Sequence, residues 1–235
     1  MSGAATVRDR ALAALRAPGA PRVMTPGSLW TWLRTTPDAA MRPRSVFNAL
    51  TAWQRTGMVR RVGGGLYLNQ LARPMPHLAE AAPWLRAGAV VSLQHVLGEA
   101  GVLNNPTAWI TCVVPLSRSR AVGTVTTEAG VFQFSGVRDG IVPEGGESWA
   151  AEAFQPHAHV PTATPEKALL DWLYLAQVSP KWALPPRGDL DLDDLDTDRL
   201  QRLARPMGLE AVWTRFQRSG PDGVPTRAAG GPRRR

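Results

Sequence analysis

Four side chains able to hydrogen-bond a base edge or a phosphate recur at helical spacing: Arg44, Asn48, Thr51 and Arg55, separated by four, three and four positions. At 3.6 residues per turn these intervals put all four on one helix face. A guanidinium forks onto guanine, a carboxamide both donates to and accepts from adenine, and a hydroxyl does either. Ser45 adds a second hydroxyl, and Arg42 stands just before the helix start. Shortly afterwards Arg60 and Arg61 precede the triplet Gly63-Gly64-Gly65. Glycine permits positive φ and close backbone approach to a phosphate strand, with Gly64 at the tip, while the two arginines supply charge for phosphates or the minor groove. The expected DNA-contacting set is therefore Arg42, Arg44, Ser45, Asn48, Thr51, Arg55, Arg60, Arg61 and Gly64.

These residues need a scaffold, and the flanking pattern provides one. Thr6 and Asp9 are spaced to cap a first helix carrying Val7, Ala11, Leu12 and Leu15. Thr25 followed by Pro26 opens a second, with Leu29, Trp30 and Leu33 inside, because threonine satisfies an orphan amide and proline suits the first helical position. The third begins near Pro43 and ends by Gly57, with Val46, Leu50 and Trp53, helped by Phe47, as its core stripe. Met58 to Val62 and Leu66 to Leu68 are β-prone runs around the glycines, hence a hairpin. Three helices and a hairpin imply a winged helix-turn-helix over residues 1–73, its third helix reading the major groove.

Charge divides the chain in the same place. Residues 1–75 hold eleven arginines against two aspartates, net +9. Residues 76–218 hold twelve basic and sixteen acidic groups, net −4, and residues 219–235 carry four arginines and one aspartate. A basic head on an acidic body places nucleic acid at the head. The prolines of Arg73-Pro74-Met75-Pro76 mark the linker. Glycine, proline and arginine dominate 219–235, a composition with little to bury, so a disordered basic tail is expected there.

The body, residues 76–218, is read as a mixed α/β domain, making the fold α+β overall. Residues 79–85 and 92–100 suggest short helices, the second capped by Ser92 and stopped at Gly101. Residues 109–114, 121–126 and 131–134 suggest strands, the last two joined through Glu128-Ala129-Gly130 as an antiparallel hairpin. Thr164-Pro165-Glu166 opens a strongly apolar helix on which Lys167 and Asp171 are four apart, a pair worth about 0.3–0.5 kcal/mol on a helix surface. Leu200, Leu203, Leu209, Val212, Trp213 and Phe216 suggest one or two closing helices, interrupted at Pro206 and Gly208.

Catalytic and metal readings find little support in the sequence. The lone Cys112 allows no intrachain disulfide and lies in an apolar run without a neighbouring histidine, as a core thiol does. Ser92 lacks the glycine-flanked elbow of hydrolases, and no phosphate loop or dinucleotide fingerprint occurs. His157 and His159 alternate as on a strand, but two histidines do not define a metal site. Six aspartates between Asp189 and Asp198 break the calcium-loop pattern, with Asp194 and Leu200 where glycine and glutamate are needed. They are read as caps and solvated loop, or as an acidic patch for a basic partner. No cofactor, no metal and no enzymatic activity are expected. Without a signal peptide or an apolar run of membrane length, a cytoplasmic location is expected.

Three blocks occur in order: Gly57-Met58-Val59-Arg60-Arg61-Val62 through Gly65-Leu66-Tyr67, Val90-Val91-Ser92-Leu93-Gln94-His95-Val96-Leu97 with Gly101, and Thr164-Pro165-Glu166-Lys167-Ala168-Leu169-Leu170-Asp171. Together they resemble the AbiEi family of type IV antitoxins and related transcriptional regulators, over roughly residues 5–215. The resemblance implies an autorepressor encoded beside a nucleotidyltransferase-like toxin, often tied to phage defence. It further implies an N-terminal winged domain on operator DNA with inverted repeats, and a C-terminal domain needed for antitoxic action. Paired or cooperative loading follows from inverted repeats. The triple-glycine wing, the Trp-rich helices and residues 179–188 depart from the family pattern. Two other readings stay open: a protein–protein adaptor with the same module, and an RNA-binding winged helix.

Overall fold

The computed structural model describes residues 6–118, 122–143 and 147–219. The chain is mixed α and β, and it divides into two compact units, Met1–Leu85 with Val125–Phe132, and Arg86–Thr124 with Gln133–Arg235. The expected basic tail, apart from Ser219, lies outside the described residues. Among the described residues no helix is long and apolar enough to cross a membrane.

In the first unit the order is α1 (Val7–Ala14), β1 (Val23–Met24), α2 (Pro26–Arg34), α3 (Pro43–Arg55), β2 (Val59–Gly63) and β3 (Leu66–Asn69). The three strands form one antiparallel sheet, ordered β1-β3-β2. Both capping boxes form: Thr6 Oγ1 accepts from the Asp9 amide at 3.2 Å, and Thr25 Oγ1 from the Ser28 amide at 3.1 Å. Each cap satisfies a helix-end donor that would otherwise face solvent or go unpaired. Ala11, Leu15, Leu29, Leu33, Val46, Ala49, Leu50, Trp53 and Val59 make the shared core. Asn69, fully buried, closes it by donating through Nδ2 to the carbonyls of Leu15 and Pro21 at 2.8 and 3.1 Å, which ties the sheet to the end of α1.

Phe47 does not join that core. It is 58 % exposed, because at about 100° per residue it falls only about 40° from Thr51 and about 120° from the buried Trp53. The core stripe of α3 is Val46, Ala49, Leu50 and Trp53. The unit also runs on beyond the proline-marked break at residues 73–76. Arg22 holds Glu80 through two hydrogen bonds of 2.7 Å and the Pro74 carbonyl through a third, keeping the 3-10 turn Leu78–Ala81 and α4 (Ala82–Leu85) with the helices.

The second unit contains β4 (Val90–Val91), α5 (Leu93–Glu99) and β5 (Ile110–Pro115), then most of the hairpin of β6 (Gly123–Thr126) and β7 (Val131–Val137). The strands order as β4-β5-β7-β6. There follow α6 (Ala150–Ala153), α7 (Pro165–Val178), α8 (Thr197–Met207) and α9 (Glu210–Arg218). α7 is the central helix, with every position from Glu166 to Leu175 buried. Pro206 does not end α8 as the sequence suggests; the helix continues to Met207 and stops at Gly208 in the left-handed region, φ 69°. His157 and His159 sit in exposed turn and bend, not on a strand, so no alternation brings them together.

Candidate nucleic-acid interface

α3 starts abruptly. Pro43 occupies its first turn, Arg42 is the N-cap without a side-chain cap, and no acidic residue lies in the first turn. The positive end of the helix dipole is therefore not offset by a carboxylate on its own helix. Arg42, Arg44, Phe47, Asn48, Thr51, Gln54 and Arg55 are all exposed, and Ser45 is half-buried. Among the described residues no acidic side chain lies within ion-pair distance of Arg42, Arg44 or Arg55. An exposed guanidinium held in that way keeps its full donor fork for an incoming acceptor.

A groove of about 660 Å³ opens where the start of α1 meets the start of α3. Thr6, Arg8, Met41, Arg42, Ser45 and Asn48 are among its lining residues. Two guanidiniums, two hydroxyls, of which that of Thr6 is engaged with Asp9, and a carboxamide in one concavity match what binds phosphate oxygens along a duplex backbone. Asp9 is the acidic residue nearest in sequence, and it is committed to the α1 cap. The Thr6 amide and hydroxyl donate to its Oδ2 at 3.0 and 2.7 Å, holding its carboxyl below the usual carboxylate range.

Thr51 is on the expected face but brings less than its type suggests. Its hydroxyl donates to the Phe47 carbonyl at 3.1 Å, so what remains outward is acceptor capacity and a methyl. Arg44 and Arg55 bracket it with donors.

The hairpin arginines are placed differently. Arg60 donates through a guanidinium nitrogen to the Ala129 carbonyl at 2.7 Å, and Arg61 pairs with Glu128 at 3.2 Å. The Glu128 amide also donates to the Val62 carbonyl at 2.9 Å, on the outer edge of β2. Thr127 rigidifies the same turn by donating to the Gly130 carbonyl at 2.6 Å. Arg60 and Arg61 remain exposed, yet part of their charge is already answered within the chain. Gly64, at φ 57°, stands at the exposed hairpin tip with open space where a Cβ would be.

Sequence reasoning missed Arg8, Phe47 and Gln54. Arg8 had no detectable signal, because the groove is made by two helices some 35 residues apart in the chain. Phe47 was readable from the helical wheel, where it lies nearer the middle of the polar row than that of the core stripe, and Gln54 falls on the border between the two.

The second unit holds a different kind of constellation. Ser92, Lys167 and Asp171 are wholly buried. The Ser92 hydroxyl donates to Asp171 Oδ2 at 2.7 Å, and Lys167 Nζ bonds Asp171 Oδ1. The expected surface pair is thus an interior ion pair, because α7 is covered on all sides. Burial pushes the Lys167 ammonium down and the Asp171 carboxyl up, each opposed by the partner's charge. Ser92 occupies the N-cap position of α5 but makes no side-chain cap there, its hydroxyl being spent on Asp171. Leu93 follows at φ 61°, a strained conformation for a non-glycine residue. Cys112 is also buried, its thiol pushed up by desolvation, which removes nucleophilic character. In the aspartate-rich segment Asp196 caps α8, accepting from the Arg199 amide at 2.9 Å.

No family model matches the chain, and no curated protein matches it. Among solved structures its fold is similar to the crystal structure of the RV2827C protein from Mycobacterium tuberculosis, with a TM-score of 0.50 and 20% identity, covering 86% of this chain and 72% of that one. A likeness at that identity is one of fold.

Proposed function

We propose that residues 1–73 form a winged helix-turn-helix that binds double-stranded DNA, and that the chain is an autorepressor and antitoxin acting against a nucleotidyltransferase-like toxin. The observation that carries the DNA part is the exposed row Arg44, Asn48, Thr51 and Arg55 on α3, beside a groove holding Arg8 and Arg42. The order helix, strand, helix, helix, strand, strand with sheet order β1-β3-β2 supports the winged reading. α3 is the recognition helix. Arg42 and the groove grip phosphates, Arg44 and Asn48 read base edges, and Arg60, Arg61 and Gly64 form a wing that contributes less than α3 because its arginines already have partners. An operator with inverted repeats then calls for two copies of the chain, side by side.

The antitoxic part rests on the resemblance of the three sequence blocks, and it assigns that action to residues 76–218. Two experiments test the proposal. Full-length chain should bind duplex DNA at moderate salt more tightly than a hairpin RNA of equal length; preference for the RNA, or no binding to either, overturns the DNA reading. When co-expressed with a neighbouring nucleotidyltransferase-like reading frame, the full-length R44A/N48A variant should restore growth while failing to repress its operon. Loss of both functions together counts against their separation.

A further inference from the structure

Phe47 is a phenyl ring 58 % exposed in the middle of a polar helix face. Among the described residues no aromatic or cationic side chain stacks on it. Within one helical turn its exposed neighbours are Pro43, Arg44, Asn48 and Thr51, with Gln54 two turns on, and none is acidic. Apolar docking sites for proteins have an apolar centre that extends over several neighbours. Here a single ring stands on a polar helix face, with the guanidiniums of Arg44 and Arg55, which have no acidic partner among the described residues, on the same helix.

A DNA major groove has the complementary arrangement. It is lined by acceptors and bounded by phosphates, and the 5-methyl of thymine is the apolar group each A·T pair offers there. We infer that Phe47 is a specificity-determining residue of the α3 face, its ring packing on the 5-methyl group of a thymine. This rests on the DNA-binding reading above. The state of Thr51 agrees with it: with the Thr51 hydroxyl donating to the Phe47 carbonyl at 3.1 Å, the middle of the face has no hydroxyl proton to offer a base. Discrimination there comes from apolar packing, and hydrogen-bond donors come from Arg44 and Asn48 toward the start of the helix and Arg55 toward its end.

The test begins with a duplex selected from a randomised pool by the full-length chain. Each thymine of the selected site is then replaced in turn by deoxyuridine, which pairs identically but lacks the methyl. Wild type should lose about fourfold in affinity at one thymine of a half-site, the value of one buried methyl. F47A should bind the parent duplex more weakly and lose nothing further at that position, whereas F47L, still apolar, should keep part of the sensitivity. Because the ring is exposed, F47A should unfold at the same denaturant concentration as wild type, which separates a recognition role from a folding defect.

If wild type and F47A respond equally to every deoxyuridine, Phe47 does not read a methyl, and the inference falls while DNA binding stands. Equal responses accompanied by a change in self-association place the ring between copies of the chain instead and overturn the inference. If no duplex is enriched from the pool, the inference and the DNA reading fall together.

Discussion

Two groups of charged and polar side chains in this protein are built on opposite principles. On α3, Arg44, Asn48 and Arg55 are exposed, and among the described residues the arginines have no acidic partner. Around α7, Lys167, Asp171 and Ser92 are sealed from solvent and satisfy one another. Solvated charges on a surface cost the fold almost nothing to keep, so their arrangement is open to selection for an outside partner. Buried charges are the reverse: desolvation is costly, and only a complete set of partners makes them tolerable. The first group is suited to recognition and the second to holding a unit together. The hairpin arginines lie between these extremes, exposed but engaged by the turn at residues 127–130.

Perturbing each group sharpens the contrast. The largest effect is expected inside: Asp171→Ala leaves the Lys167 ammonium buried without its carboxylate and should lower unfolding free energy by about 3–5 kcal/mol, read by chemical denaturation. Replacing Lys167 and Asp171 together by Met and Leu should recover much of that loss; equal damage from single and double changes would mean the pair is not what couples them. Asn48→Ala should leave stability unchanged and cost about 1–3 kcal/mol of discrimination between the selected duplex and a random one. A drop in stability instead would give Asn48 a role in holding the fold.

Arg60→Ala with Arg61→Ala should change stability by less than about 1 kcal/mol, as exposed pairs do. It should also flatten the salt dependence of duplex binding by less than two uncommitted arginines would, each of which is worth up to about 0.9 in the slope. A flattening at that upper bound would show that Ala129 and Glu128 release both guanidiniums when DNA binds. The smallest effect concerns acid. Asp9 and Asp196 are held below the ordinary value of 3.8, by hydrogen bonds from the Thr6 hydroxyl and the Arg199 amide respectively. Depressed native values mean that the unfolded chain takes up protons first, so their stabilising contribution is complete above 3.8 and disappears as pH falls through the native values. In D196N the slope of stability against pH below 4 should be shallower than in wild type, measured by thermal unfolding between about pH 2 and 5.

Local chemistry is legible in the sequence and long-range coverage is not. Thr25-Pro26 and Thr164-Pro165 announce helix starts because hydroxyl and proline act within one turn, and both helices begin there. The spacing of Arg44, Asn48, Thr51 and Arg55 suffices to put them on one exposed face. The spacing of Lys167 and Asp171 likewise shows that they meet, but nothing within five residues reveals that Ser92, 79 positions earlier, closes over them. Arg60 reaches a carbonyl 69 residues away, which no local pattern encodes. Phe47 is a different case, since its hydrophobicity argues for the core and its angle on the wheel argues against it. The angle prevails, because the core side of α3 is already filled by Val46, Ala49, Leu50 and Trp53.

The central claim is that the exposed arginines of α3 and its entry groove grip a DNA backbone. Duplex affinity of wild type and of R42A/R44A/R55A, measured over a series of salt concentrations, tests it most directly. The triple variant should bind more weakly, and its plot of log affinity against log salt should be shallower by up to about 0.9 for each phosphate no longer neutralised, with folding stability unchanged. Equal slopes and equal affinities in the two proteins would contradict it.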